Sequence, residues 1–484
     1  MRDSLEYDLI IIGSSWEGIY AAKVAVQLQA RVALVTQCNH GNYLINEALI
    51  NRSLGEFAAW NYQLVNSPLA AIAENKIPNI SISQANNWTI NINSIIQTQN
   101  SLAGLAALGV DVIVGMGEFY RLPKLGLQVN KRKLRSRNFL LATGSVFNPQ
   151  FLSEDLSNSY LTLKDWDNNK LTQLPDNIIV VGSDPIALEF AQTLTRFGKK
   201  ITLVVKHSRI LPQEDLEIAT LIQAQLEAEG INIVTNSEVS QIKIINNQKW
   251  LQASDRALSA DEIIIADYRQ PNIEGLNLAG VEVKYNQQRV YVNQKLQTTN
   301  PNIYACGDLI GGYCLPSIAQ YEVGLILKNT LFFPWYKTNY YPQPWAILTQ
   351  PNLARVGLNE RQARQKYGEI YILKQYYNQV AQAQISDQTT GLCKLIVLED
   401  GTIIGCSLIG DRAADLITVI SLMMQHQIKL DSNPMRGLTS VSIPTIYPTM
   451  TEILHHVSND FYQQKLQRHP NLLKRLQTWF AWRK

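Results

Sequence analysis

A glycine-rich turn directly behind an apolar strand is a device for holding phosphate, and the chain carries two such turns. The first reads Gly13-Ser14-Ser15-Trp16-Glu17-Gly18 after the run Leu9 to Ile12. In a G-x-G-x-x-G turn the first glycine makes the bend, the second lets backbone approach a pyrophosphate, and the third lets helix pack on strand. Gly13 and Gly18 hold the first and third places, and Ser15 is a small polar substitute at the second. The helix behind the turn adds amide donors and partial positive charge. An acid after the next strand would normally take the ribose hydroxyls. Here Thr36 and Gln37 stand there, able to hydrogen-bond but uncharged. A plain packing turn is the bland alternative.

The second turn, Gly182-Ser183-Asp184-Pro185-Ile186-Ala187, follows IIVV. Gly182 keeps the first place, Asp184 occupies the middle one, and Ala187 replaces the third glycine. A carboxylate beside a pyrophosphate is repulsive, worth about a few kcal/mol once desolvated. The following strand ends in Val205-Lys206-His207, with no acid.

Each turn needs a strand before it and a helix after it. The first unit reads as a strand at Leu9 to Ile12, a helix from Ile19 to Leu28 and a second strand from Arg31 to Thr36. FLLATGS at Phe139 to Ser145 is another strand ending in a small-residue turn. The second unit runs from IIVVGSDPIALEF to KKITLVVKHS. Continuous apolar runs of this kind belong to parallel strands buried on both faces. From about Tyr341 the pattern changes, and GLCKLIVLED and TIIGCSLIG alternate with amphipathic helices as in an α+β domain.

Composition adds limits. The chain of 484 residues is long enough for two or three domains, and its net charge of +3 points to no nucleic-acid partner. The five cysteines (Cys38, Cys306, Cys314, Cys393, Cys406) are scattered and form no zinc-like pair, which suits a reducing, cytoplasmic compartment. MRDSLEYDLIIIG enters a strand almost at once, so no secretory leader is expected, and no segment has the length of a membrane span. Cys306 reads as a small buried filler and His455-His456 as a helix surface; no metal is expected. Trp16 either packs over a cofactor or merely covers its turn.

A third motif, TTNPNIYACGD, ends a strand at Ala305-Cys306-Gly307-Asp308. Together with GSSWEG, ATGS, QPNLARVGLNERQAR and YPTMTE it resembles the class I pyridine nucleotide-disulfide oxidoreductases, the family of dihydrolipoamide dehydrogenase, glutathione reductase and mercuric reductase. The resemblance runs from about Tyr7 to about Val457. It implies an α/β fold with two Rossmann-like FAD- and NAD(P)-binding domains and a C-terminal α+β dimerisation domain. The expected segments are 1–150 (FAD-binding, first part), 151–268 (NAD(P)-binding-like), 269–340 (FAD-binding, second part), 341–460 (dimerisation) and 461–484 (a basic amphipathic tail). It implies FAD, held by Gly13, Ser15, Gly18, Thr36, Gln37, Gly117, Thr143, Gly144, Asp308 and Ala319. For the second turn it implies NADP(H) at Gly182, Lys206 and His207, because in the family a cation after that strand accompanies the 2′-phosphate. The alternative is that Lys206 is a solvated surface charge. It also implies a homodimer, in which YPTMTE reaches into the partner's site.

The departures from the family decide the chemistry. Its redox-active C-x-x-x-x-C pair falls on Leu44 and Leu49, which can neither attack a disulfide nor form a thiolate. The histidine of the C-terminal H-P-T-x-x-E motif is Tyr447, and a phenol is a poor base at neutral pH; Glu452 remains. The lysine beside the flavin falls on Ser53, while its glutamate partner remains as Glu189. The catalytic candidates left are Tyr447, Glu452 and Glu189. Two functions follow: an FAD-dependent NAD(P)H oxidoreductase without dithiol chemistry, passing electrons to a quinone, metal complex or oxygen, or a non-catalytic flavoprotein that senses or scaffolds. Lys206-His207 favours the first and Asp184 the second. The tail, with Lys465, Arg468, Lys474, Arg475, Arg483, Lys484 and the apolar Leu472, Leu473, Leu476, Trp479, Phe480 and Trp482, suits either packing on its own protein or contact with an anionic membrane or acidic partner.

Overall fold

The run Leu9 to Ile12 carries no polar residue because both its faces are covered. Ile10 and Ile12 pack with Val35, Phe139 and Leu141 on one side, and Leu9 and Ile11 with Leu34 and Leu140 on the other. In the computed structural model β1 (Tyr7–Ile12) is the centre of a five-stranded sheet. It pairs in parallel with β2 (Val32–Thr36) and with Ser136–Leu141, and Asp111–Val114 and Ile303–Ala305 form the edges. The structure describes residues 5–37, 43–66, 81–148, 160–163, 168–312, 315–430 and 443–483. The side chains of residues 43–49, 66, 99, 168, 169, 472 and 476 lie outside that description.

The first helix, α1 (Trp16–Gln27), begins three residues earlier than its apolar spacing predicts. Ser15 explains the difference. Its backbone is extended and its hydroxyl accepts from the Gly18 amide, so it caps the helix at the turn itself. A second parallel sheet follows the order Asn232–Val234, Lys200–Val204, Asn177–Val181, Glu262–Ile265, Leu161–Thr162. The helix Pro185–Arg196 leaves its central strand with Pro185 in the first turn, where a missing N–H costs nothing. α2 (Tyr43–Asn66) contains Leu44 and Leu49 within its backbone; their side chains lie outside the described residues.

The chain divides into two compact units, residues 1–210 with 227–338, and residues 211–226 with 339–484. The second unit is built on an antiparallel sheet in the order Trp345–Ile347, Asn352–Gly357, Ile403–Gly410, Leu392–Val397, Tyr371–Tyr376. Helices Ala413–Gln425 and Glu452–Arg468 bury Ile417, Ile420, Ile453 and Phe461 in its core. Among the described residues no helix is long and apolar enough to cross a membrane.

Candidate nucleotide sites

The first turn is shaped by contacts that admit no side chain. Gly13 has φ +107°, and a Cβ there would lie 2.1 Å from the Ala142 carbonyl oxygen. A Cβ on Gly18 would lie 2.2 Å from the Gly13 oxygen. These contacts bring strand, turn and helix together, with the first-turn amides of α1 at the cradle. Thr36, at the end of β2, is buried and its hydroxyl lies 2.7 Å from that of Ser14; Gln37 is exposed. A backbone-lined turn at a helix N-terminus fits a dinucleotide pyrophosphate.

Asp308 follows the strand Ile303–Ala305. Ser145 donates to its carboxylate at 2.8 Å, and the Arg269 guanidinium, lying over the Phe147 ring, stands 3.3 Å away. Glu322, buried, accepts from the Gly307 amide at 2.8 Å. Thr143 donates to the Asn272 carbonyl at 2.5 Å, Gly144 adopts φ +69°, and Ala319 is buried in the helix Pro316–Leu327. Gly117 opens the strand Gly117–Tyr120, where it packs against Leu127. The sequence does not single out Ser145, Arg269 and Asn272, because the strand order that brings them to Asp308 and Thr143 carries no local signal.

The second turn is similar in backbone and different in charge. Gly182 has φ +152° and its amide donates to Val204. Asp184 caps Pro185–Arg196 without a side-chain hydrogen bond. Burial, and then the nearby Asp267, push its carboxyl up to about 7 against the opposing pull of Arg269 and Lys206. Lys206 and His207 are exposed.

Glu189 accepts a hydrogen bond from the buried Asn51 at 2.9 Å, and the other amide atom of Asn51, Oδ1, has no partner. The sequence reading set Ser53 against Glu189 and did not weigh Asn51. Tyr447 is 76% exposed, whereas Glu452 is buried and accepts from the Thr449 amide at 3.2 Å. Trp16 stacks on Tyr20 one helical turn on, at 5.2 Å between centroids. Cys306 is buried, and burial pushes its thiol up. Cys393 and Cys406 are both buried in the core of the second unit, and the neighbouring Cys406 thiol and burial push the Cys393 thiol up, a proximity their spacing did not reveal. The readings of Cys38 and Cys314 lie outside the described residues. Among the described residues no group of three or more His, Cys, Asp or Glu is placed to hold a metal ion.

Comparison with known proteins agrees with this architecture. The sequence profile of the pyridine nucleotide-disulphide oxidoreductases matches residues 7–324, and that of their dimerisation domain matches residues 343–457. The chain is 28% identical to a mercuric reductase of Staphylococcus aureus over 456 residues, 92% of this chain and 81% of that one. It is 29% identical to a dihydrolipoyl dehydrogenase of Bacillus subtilis over 458 residues, 92% and 97% of the two. Among solved structures it resembles the Cu(II) complex of the flavoprotein disulfide reductase RclA from Escherichia coli, with a TM-score of 0.79 at 23% identity, covering 95% of this chain and 100% of that one. LpdA from Mycobacterium tuberculosis gives 0.81 at 20%, covering 93% and 99%. With two nucleotide turns on two parallel sheets and an antiparallel third domain, the chain belongs to the pyridine nucleotide-disulphide oxidoreductase family, whose members are FAD-binding flavoproteins that use NAD(P)H.

Proposed function

We propose that this member is an FAD-dependent NAD(P)H oxidoreductase that works without a dithiol. What supports the reading is the set of residues that the family resemblance places on the relay: Leu44 and Leu49 for the cysteines, Ser53 for the lysine and Tyr447 for the histidine. FAD, when bound, supplies a two-electron carrier between nicotinamide and acceptor. In this reading Gly13, Ser15, Gly18 and the α1 N-terminus seat its pyrophosphate. Asp308, oriented by Ser145 and Arg269, takes the ribityl hydroxyls, and Thr36 and Gln37 face the ribose. Gly117, Thr143, Gly144 and Ala319 shape the surrounding backbone. Gly182, Lys206 and His207 belong to the NADP(H) site, and Glu189, Tyr447 and Glu452 are the remaining candidates for proton handling. The acceptor needs no thiol: a quinone, a metal complex or oxygen. The name of one relative, mercuric reductase, puts metal ions in that class. Asp184 favours a second reading, a flavoprotein that senses or scaffolds without turnover. The five-segment domain division and a cytoplasmic location belong to the same proposal.

The visible spectrum of the purified protein, before and after anaerobic NADPH or NADH, tests this. Flavin absorption is expected, with bleaching faster by NADPH than by NADH and no turnover of lipoamide or oxidised glutathione. Disulfide turnover overturns the dithiol-free reading. Bleaching by neither nucleotide favours the second reading, and a colourless protein that takes up no FAD overturns both.

The second unit carries the family's dimerisation domain, and we propose a two-fold homodimer. Ile446 and Tyr447 are 74% and 76% exposed, as a segment meant for a partner would be. The tail helix Pro470–Trp482 exposes Leu473, Trp479, Phe480 and Trp482 and carries Lys474 and Arg475 with no acid. Each cation contributes roughly 1 kcal/mol near an anionic surface, falling off over ~8 Å. The full chain is expected to scatter light as a dimer and to sediment with anionic vesicles at low salt. Truncation before Pro470 should keep the dimer and lose the vesicles. A monomer, or equal vesicle binding by both forms, contradicts the respective half.

A further inference from the structure

Glu17 is the single ionisable residue within the Gly13–Gly18 turn. It lies in the first turn of α1, is 7% exposed, and its Oε2 atom has no hydrogen-bond partner. A Cβ added to Gly307 would come within 2.8 Å of Oε1, so the carboxyl lies where the α1 turn meets the Gly307-Asp308 turn. These are the two halves of the cradle assigned to FAD. Among the described residues, Asp308 beyond Gly307, Glu322 on the Gly307 amide and the buried Cys306 thiol, which feels all three carboxylates, bring acidic groups to this point. The nearby cation Arg269 is engaged with Asp308.

A helix N-terminus ordinarily favours a carboxylate. Here burial, reinforced by Asp308, pushes the Glu17 carboxyl up, against a hydrogen bond from Ser15 that favours the charged form. The cradle is built for a pyrophosphate, and an ionised Glu17 would compete with that anion for the same helix end. In its neutral form the same side chain changes sign of action: the proton on the unpartnered Oε2 becomes a donor to a phosphate oxygen.

We propose that Glu17 binds the FAD pyrophosphate as a neutral acid, so that FAD binding takes up one proton from solvent wherever Glu17 is ionised in the apoprotein. The inference rests on the first turn being the FAD site. No member of the G-x-G-x-x-G pattern requires it; it comes from the carboxyl found buried in this chain.

FAD dissociation constants of the full-length apoprotein, measured by flavin fluorescence between pH 5.5 and 9, test it. Calorimetry in buffers of different ionisation enthalpy counts the protons. The wild-type constant is expected to rise about tenfold per pH unit above the Glu17 titration. Near one proton should be taken up where Glu17 is ionised in the apoprotein. Glu17→Gln, whose amide donates without ionising, should bind with a flat profile and no uptake from this site, and tighter than wild type by a margin that widens about tenfold per pH unit above the Glu17 titration. Asp184 titrates nearby, so the same slope must persist in Asp184→Asn. A flat wild-type profile, an absent proton uptake, or a Glu17→Gln slope parallel to wild type overturns the proposal. The uptake measurement needs no variant and stands if Glu17→Gln fails to fold. FAD binding at no pH by any form overturns the assignment of the turn, and the proposal with it.

Discussion

Replacing Asp184 by glycine is expected to tighten NADPH binding by roughly 10- to 100-fold at pH 8, the equivalent of about 1.4 to 2.8 kcal/mol. Asp184 stands at the middle position of the second turn, where a dinucleotide pyrophosphate requires close approach of backbone. It caps its helix with no side-chain hydrogen bond, so glycine removes a charge without breaking a cap interaction. Its carboxyl is pushed up to about 7, first by burial and then by Asp267, with Arg269 and Lys206 opposing. The wild-type protein should therefore bind NADPH more weakly as pH rises from 6 to 8, because ionised Asp184 repels the phosphates. The glycine variant should lack that component.

Stability follows the same sign. The folded carboxyl holds its proton more tightly than the unfolded one, so its contribution is full below about 4 and is lost as pH rises through about 7. The variant should gain stability over wild type at pH 8 and little at pH 4. Titration with NADPH under anaerobic conditions, or with NADP at both pH values, measures the binding. An unchanged affinity at pH 8 removes Asp184 as the barrier, and failure of both proteins to bind at any pH supports the non-catalytic reading.

What the sequence makes legible depends on how local the physical requirement is. Gly13 and Gly18 were readable because a sharp strand-to-helix turn needs them within six residues, and the structure shows a carbonyl oxygen where each Cβ would go. The helix start was misread by three residues because apolar spacing marks the buried face, whereas the capping hydroxyl of Ser15 marks the end. Asp308 was found through its strand-end motif. Its partners Ser145 and Arg269 stand 163 and 39 residues away, and nothing local in ATGS or YRQP announces the meeting. Asn51 on Glu189 is hidden for the same reason, at a separation of 138 residues. Lys394 shows the limit most clearly. In GLCKLIVLED it reads as one polar residue on a strand, yet its side chain is 3% exposed and lies among carboxylates from two other segments.

Lys394→Met should destabilise the second unit by roughly 3–5 kcal/mol at pH 7, the usual cost of removing one partner from a buried ionic cluster. The Lys394 ammonium lies 2.7 Å from Glu360, 3.0 Å from Asp215 and 3.7 Å from Glu217. Asp215 also accepts from the Glu360 amide, so the lysine joins the segment 211–226 to the strand and helix it packs on. Methionine keeps much of the stem volume and leaves the carboxylates facing one another. Burial pushes the Glu360 carboxyl up, but hydrogen bonds from Lys394 and Arg364 outweigh it and hold it below its usual range. That stabilisation is present above the unfolded value of about 4.5 and is lost as pH falls through the folded one. In the variant the remaining carboxylates repel, and protonation relieves them. The gap between wild type and Lys394→Met should therefore be widest near pH 7 and narrow toward pH 4, as read by urea unfolding at both. Adding Asp215→Asn and Glu360→Gln to Lys394→Met should recover much of the loss at pH 7, because it neutralises the two nearest carboxylates together with the lysine, while Glu217 keeps Lys374 as its partner at 2.7 Å. A gap under about 1 kcal/mol at pH 7, or one that does not narrow in acid, makes the lysine incidental to the unit.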